Sequence, residues 1–108
     1  MDEAVLIEAN MNEGALKIGL PNSKGWMGYV KDNLLFIKKA AYDPNLTYLD
    51  KVASSQCYCA PNFIELETLG EFVDLGPGET CLHTEKWELS RKDNWPAEIK
   101  ELLGLIET

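Results

Sequence analysis

Residues 63–79 read FIELETLGEFVDLGPGE. As an extended strand, the first half of this stretch puts Phe63, Glu65, Glu67 and Leu69 on one face and Ile64, Leu66 and Thr68 on the other. One face is apolar except for a hydroxyl, and the other sets two carboxylates between two large apolar side chains. A period of two over this length predicts a half-buried strand, and Gly76-Pro77-Gly78 predicts a turn behind it. The acids have two readings. They are either a solvated sheet face or part of a pocket in which desolvation and mutual repulsion raise one carboxyl for acid–base work.

Working outward, the same short-run pattern recurs. AVLIEA (4–9), GALKIGL (14–20), WMGYVK (26–31), LLFIKKA (34–40), SQCYC (55–59), NFIELETL (62–69), EFVDL (71–75) and TCLHTEKWEL (80–89) are all of strand length and are separated by turn residues. Asp32-Asn33 leaves only two residues between two apolar runs and predicts a tight hairpin. The 80–89 segment alternates Cys81, His83, Glu85, Trp87 and Leu89 against Leu82, Thr84, Lys86 and Glu88. After Trp95-Pro96 the period changes to that of a helix, with Ile99, Leu102, Leu103 and Ile106 on one stripe. The expectation is a single β-rich domain over 1–108, mainly antiparallel and sandwich-like, of about eight strands with one C-terminal helix at 95–106.

Bulk properties narrow the function classes. The chain has 108 residues, 45% hydrophobic and 26% charged, with a net charge of −8. A surface this acidic is a poor match for nucleic acid or an anionic membrane, and the basic pairs Lys38-Lys39 and Arg91-Lys92 are not interleaved with aromatics. The N-terminal MDEAVLIEANMNEG lacks the basic start of a secretory signal, and no apolar run approaches the roughly 20 residues of a membrane helix. Three cysteines suggest no disulfide framework, so a cytoplasmic setting is expected.

Cys57, Cys59, Cys81 and His83 could form a Cys₃His zinc site, but ligands one residue apart on a flat strand are not zinc-knuckle spacing. Burial as small apolar groups explains these cysteines better, and no metal or cofactor is expected. Trp26, Trp87 and Trp95, with Tyr29, Tyr42, Tyr48 and Tyr58, are either core packing or a stacking platform for sugar rings. No nucleophile–histidine triad and no phosphate-binding glycine loop is present.

Residues 62–89, NFIELETLGEFVDLGPGETCLHTEKWEL, resemble the C-terminal half of the galactose-mutarotase-like superfamily, closest to an uncharacterised bacterial family within it. Weaker similarity extends back through Lys17-Ile18-Gly19, Gly25-Trp26, the LLFIKK run and Tyr48-Leu49-Asp50, so that residues 14–89 are covered. The resemblance implies half of a supersandwich with a carbohydrate-binding sheet face, as a small mobile gene cassette would encode. It implies Glu67, in Leu66-Glu67-Thr68, as general base of an aldose 1-epimerase-type reaction. His83 is the weaker candidate acid, and Glu65, Trp87, Trp26 and Lys38 are the ligand contacts. The epimerases are roughly twice this length or more, their acid histidine falls in the part absent here, and Gln56 stands where the family carries an acid. Three outcomes remain open: a binding domain for carbohydrate or another small polar ligand, a sugar isomerase, or a structural interaction protein. A half-supersandwich leaves apolar surface uncovered, so a homodimer or a dimer-of-dimers tetramer is expected.

Overall fold

The computed structural model describes residues 5–49 and 53–91. Within them the chain forms six strands: β1 (Leu16–Leu20), β2 (Trp26–Lys31), β3 (Leu34–Lys39), β4 (Ser55–Cys59), β5 (Ile64–Thr68) and β6 (Lys86–Arg91). They build two three-stranded antiparallel sheets, ordered β1-β4-β5 and β2-β3-β6. The protein is therefore mainly β and sandwich-like, with no helix among the described residues. The 95–106 helix expected from the sequence lies outside them.

Register follows from the alternation of side chains. In the first sheet Leu16, Cys59 and Ile64 stand in one row, Ile18, Cys57 and Leu66 in the next, and Leu20, Ser55 and Thr68 in the third. That face is apolar except at its Ser55–Thr68 end. The opposite face carries the rows Lys17, Tyr58, Glu65 and Gly19, Gln56, Glu67. The central strand β4 holds Ser55, Gln56, Cys57 and Cys59, all buried. As the middle strand, flanked by β1 and β5, β4 has no open edge, which contributes to this burial.

The second sheet begins with the hairpin that Asp32-Asn33 predicted. Asp32 takes the left-handed conformation (φ 54°) that such a two-residue connection demands. One face of this sheet carries Trp26, Leu35 and Ile37, with Leu35 and Ile37 buried and Trp26 packed against them. Burying such side chains contributes about 1.5–3 kcal/mol each. The other face carries Met27, Tyr29, Phe36, Lys38, Trp87 and Leu89, in which Trp87 and Leu89 stay largely exposed.

Asn22, in the β1–β2 connection, ties the sheets together. Its amide nitrogen donates to the Trp26 carbonyl (2.8 Å) and the Ser55 hydroxyl (2.9 Å), and its main-chain N–H donates to the Ser54 hydroxyl (2.9 Å). Gly25 closes the turn with φ 75°.

Three expected strands differ. Residues 71–75 are exposed and form no ladder; Phe72 donates a single main-chain bond to the Thr47 carbonyl (2.7 Å). Five residues between Gly70 and the Gly76-Pro77-Gly78 turn find no neighbouring strand, and period alone does not supply one. The described part of 4–9 is likewise unpaired, with Val5 and Leu6 exposed. The strand expected over 80–89 starts only at Lys86, because His83 and Glu85 are engaged with β5 through their side chains instead of a backbone ladder.

Candidate functional site

The two sheets meet where the edge strand β5 approaches β3 and the start of β6, and polar groups converge there. The Lys38 ammonium donates to the main-chain carbonyl of Leu66 (2.7 Å) and lies 3.7 Å from a Glu85 carboxylate oxygen. The Thr68 hydroxyl donates a short hydrogen bond to that same oxygen. The other oxygen of Glu85 accepts from the Trp87 indole N–H at 3.0 Å. His83 Nε2 sits 2.7 Å from the Thr68 hydroxyl oxygen.

Proton bookkeeping fixes the roles. A carboxylate only accepts, so the single hydroxyl hydrogen of Thr68 points to Glu85. The Thr68 oxygen then accepts from His83, which places the imidazole proton on Nε2 and leaves Nδ1 as an acceptor when the ring is neutral. The chain Glu85–Thr68–His83 thus orients one imidazole. The Thr68 hydrogen bond holds the Glu85 carboxyl below its ordinary value, against some desolvation, with help from Trp87, Lys38 and His83.

His83 lines a cleft of about 230 Å³ whose walls include Leu46, Tyr48, Leu69, Gly70 and Leu82. Tyr48 is buried at its back, stacked on Tyr42 at 5.7 Å and accepting from the Asp43 N–H at 3.1 Å. Gly70 makes room for the imidazole, since a Cβ there would lie 3.1 Å from the His83 Cβ and 3.3 Å from Nδ1. Trp87, which does not line the cleft, is 65% exposed. Lys38 lies over it, 5.4 Å from the centroid, and the Phe36 ring meets it edge-on at 5.7 Å.

Of the residues singled out in the sequence, His83, Trp87 and Lys38 come together here. Glu65 and Glu67 do not join them. Both stand on the polar face of β5, Glu65 exposed beside Tyr58 and Glu67 half-buried beside Gln56. Thr68, next along the strand, points to the opposite face. Trp26 packs into the Leu35–Ile37 core. Thr68, Gly70 and Glu85 join the site without carrying a role in any motif of the sequence. Their signal was present, since Glu85 shares a strand-period face with His83 and Trp87, and Thr68 lies on the apolar side of β5, where a hydroxyl needs a partner.

Cys57 and Cys59 are buried with sulfurs 3.7 Å apart, whereas Cys81 is exposed. Burial, then the neighbouring Cys59 thiol, pushes the Cys57 thiol up to about 11. Among the described residues no group of three or more His, Cys, Asp or Glu side chains could hold a metal ion, and no helix is long and apolar enough to cross a membrane. Comparison with protein-family models, curated proteins and solved structures returns no match.

Proposed function

We propose that the chain is a binding domain for a small, hydroxyl-rich ligand, with carbohydrate as the class that fits the site best. The observation that carries this reading is the exposed Trp87 indole, linked through Glu85 and Thr68 to an oriented imidazole, His83, that lines a cleft, with the Lys38 ammonium paired to the same Glu85. A sugar needs such a combination: an aromatic face for its C–H groups and fixed donors and acceptors for its hydroxyls. His83 Nδ1 accepts from one hydroxyl, while the Lys38 ammonium donates to another. Thr68, His83, Glu85 and Trp87 all fall within residues 62–89, the block that resembles the galactose-mutarotase-like superfamily, which adds support to the sugar class.

Binding is favoured over turnover. An epimerase reaction with Glu67 as base and His83 as acid needs both groups around one sugar ring, and strand alternation directs Glu67 away from the face on which Thr68 meets His83.

The test is a titration of the protein with a panel of neutral monosaccharides, followed by Trp fluorescence and NMR chemical shifts. A binding sugar should shift the His83 ring and quench or blue-shift the indole signal. Trp87→Ala and Gly70→Ala should each weaken binding about tenfold or more, the second by displacing the imidazole. Failure of every sugar to perturb His83 or Trp87 at millimolar concentration refutes the reading. Catalysed anomer exchange by the wild type, lost in Glu67→Gln, would replace it with the epimerase.

A further inference from the structure

His83 stands between two unlike halves of the site. On its Nε2 side are the Thr68 hydroxyl, the Glu85 carboxylate, the Lys38 ammonium and the Trp87 indole. On the other side is the cleft of about 230 Å³, and its walls are mostly apolar: Ala41, Leu46, Leu69, Leu82 and Tyr48, whose hydroxyl is engaged by the Asp43 N–H. Leu82 is 90% exposed, so an apolar group lodged here takes a leucine out of water. A sugar ring pushed between these side chains would leave hydroxyls unpaired, which is costly. The cleft exceeds the roughly 150 Å³ that holds a benzene ring, ample room for a short acyl chain. Its polar groups are few: His83, Thr84 and Glu71, the last an exposed carboxylate. The Nδ1 edge of the imidazole lies over Gly70, where a Cβ would come within 3.3 Å of Nδ1, and Gly70 itself lines the cleft. Nδ1 is therefore the ring nitrogen at the cleft. It is the acceptor of the neutral ring, and no donor reaches it among the described residues.

We propose that the ligand is an N-acylated amino sugar whose acyl group enters the cleft, an inference that rests on the carbohydrate reading and narrows it. The cleft calls for a donor at Nδ1, an acceptor for the Thr84 hydroxyl and an apolar group against the leucines. A secondary amide with a short acyl chain supplies all three. Its N–H donates to His83 Nδ1, its carbonyl accepts from Thr84, and its methyl end packs against Leu69 and Leu82. The ring and the remaining hydroxyls stay on the polar side, with Trp87 and Lys38. The pairing is selective because neither partner is ambivalent. An amide N–H only donates and a neutral imidazole Nδ1 only accepts, whereas a hydroxyl serves either way. An O-acyl ester has nearly the same shape but turns an acceptor oxygen toward Nδ1. An unacylated amino sugar carries an ammonium, which has Glu71 as a partner but meets the apolar walls at a desolvation cost.

The experiment is NMR titration of the full chain with N-acetylglucosamine and N-acetylgalactosamine, against glucose, galactose, glucosamine, a 2-O-acetyl hexose and N-methylacetamide. At least one N-acetylhexosamine should bind about tenfold or more tighter than its parent hexose. Its acetyl methyl should show nuclear Overhauser contacts to Leu69 and Leu82. The 2-O-acetyl hexose should gain no such advantage, because a site built to pair an N–H rejects the analogue that lacks it. Leu82→Asp, a change at an exposed position that leaves folding intact, should remove most of the N-acetyl preference. Nitrogen-15 shifts of the free protein should show Nδ1 unprotonated in the neutral His83 ring. Equal binding of acetylated and parent sugars, an equal gain from the O-acetyl group, tighter binding of glucosamine, or a proton on Nδ1 would each overturn the amide assignment and leave carbohydrate binding in place. N-methylacetamide perturbing the cleft as strongly as the sugars do would overturn the amino-sugar assignment. Silence of His83 and Trp87 toward every sugar would instead refute the carbohydrate reading itself.

Discussion

Replacing Thr68 with valine removes one hydroxyl while keeping the shape of the side chain. Two bonds disappear: the donor to Glu85 and the acceptor for His83. A hydrogen bond to a charged group contributes about 1.5–3 kcal/mol when sheltered. The Glu85 side chain is 23% exposed, so water replaces part of the loss, and the His83 bond is exposed and adds little. The expected deficit near pH 7 is therefore about 1.5 kcal/mol, or a fall in melting temperature of roughly 7 °C for a chain of this size. The pH dependence is the sharper test. Glu85 has its carboxyl lowered from 4.5 in the folded state, chiefly by Thr68. Its contribution is present above the unfolded value and is lost as pH falls through the folded one. Wild type and Thr68→Val should converge as pH falls below the ordinary carboxyl value of 4.5. Urea unfolding at a series of pH values measures both curves. Equal stability near neutrality, or a gap that stays constant down to acid pH, would refute the assignment of the Thr68 proton to Glu85.

Two further outcomes follow from the packing. Gly25→Ala puts a Cβ 2.6 Å from the Ala40 carbonyl oxygen at φ 75°; it should destabilise by about 2 kcal/mol or more, read as a lower urea midpoint with unchanged slope. A thiol reagent near pH 8 should modify Cys81 quickly and leave Cys57 and Cys59 protected until the protein unfolds, since both are buried and the Cys57 thiol is raised to about 11. Because that thiol favours its neutral form in the folded state, stability should decline as pH rises above about 9 toward 11.

Strands with a ladder partner were legible from period and turn chemistry: β1 to β5 fall inside the runs marked in the sequence, and the β2–β3 hairpin follows from Asp32-Asn33. The failures share a cause. Residues 71–75 have the right period and composition, but a strand exists only where another offers hydrogen bonds, and that is a tertiary fact. The 80–85 segment misled more instructively. Its alternation of Cys81, His83, Glu85 and Trp87 is real, but in the structure it aims His83 and Glu85 at Thr68 instead of building a ladder. The carboxylates of β5 drew the functional reading because a charged pair on a half-apolar strand is conspicuous. The hydroxyl between them and the turn was not conspicuous, although Thr68 on the apolar side is the odder residue: it needs a partner, and Glu85 and His83 supply it.

The junction of the two sheets also explains why this small domain can hold an oriented site at all. Among the described residues the core is thin, with Leu35, Ile37, Tyr48, Ala53, Cys57 and Cys59 the buried hydrophobics, and directional bonds add to what packing fixes between the sheets. Among the described residues, two such clamps stand out. Asn22 fixes β2 to β4 through Ser54, Ser55 and the Trp26 carbonyl, and Lys38 with the Glu85–Thr68 pair fixes β3 and the approach to β6 against β5. A hydrogen bond has a narrow range of length and angle, so such clamps set position more sharply than apolar contact does. The second clamp is also the proposed ligand site. Occupancy there should therefore stiffen the seam between the sheets, and protection of the Leu66–Leu69 amides from hydrogen exchange should rise with ligand concentration while the β2–β3 hairpin stays unchanged.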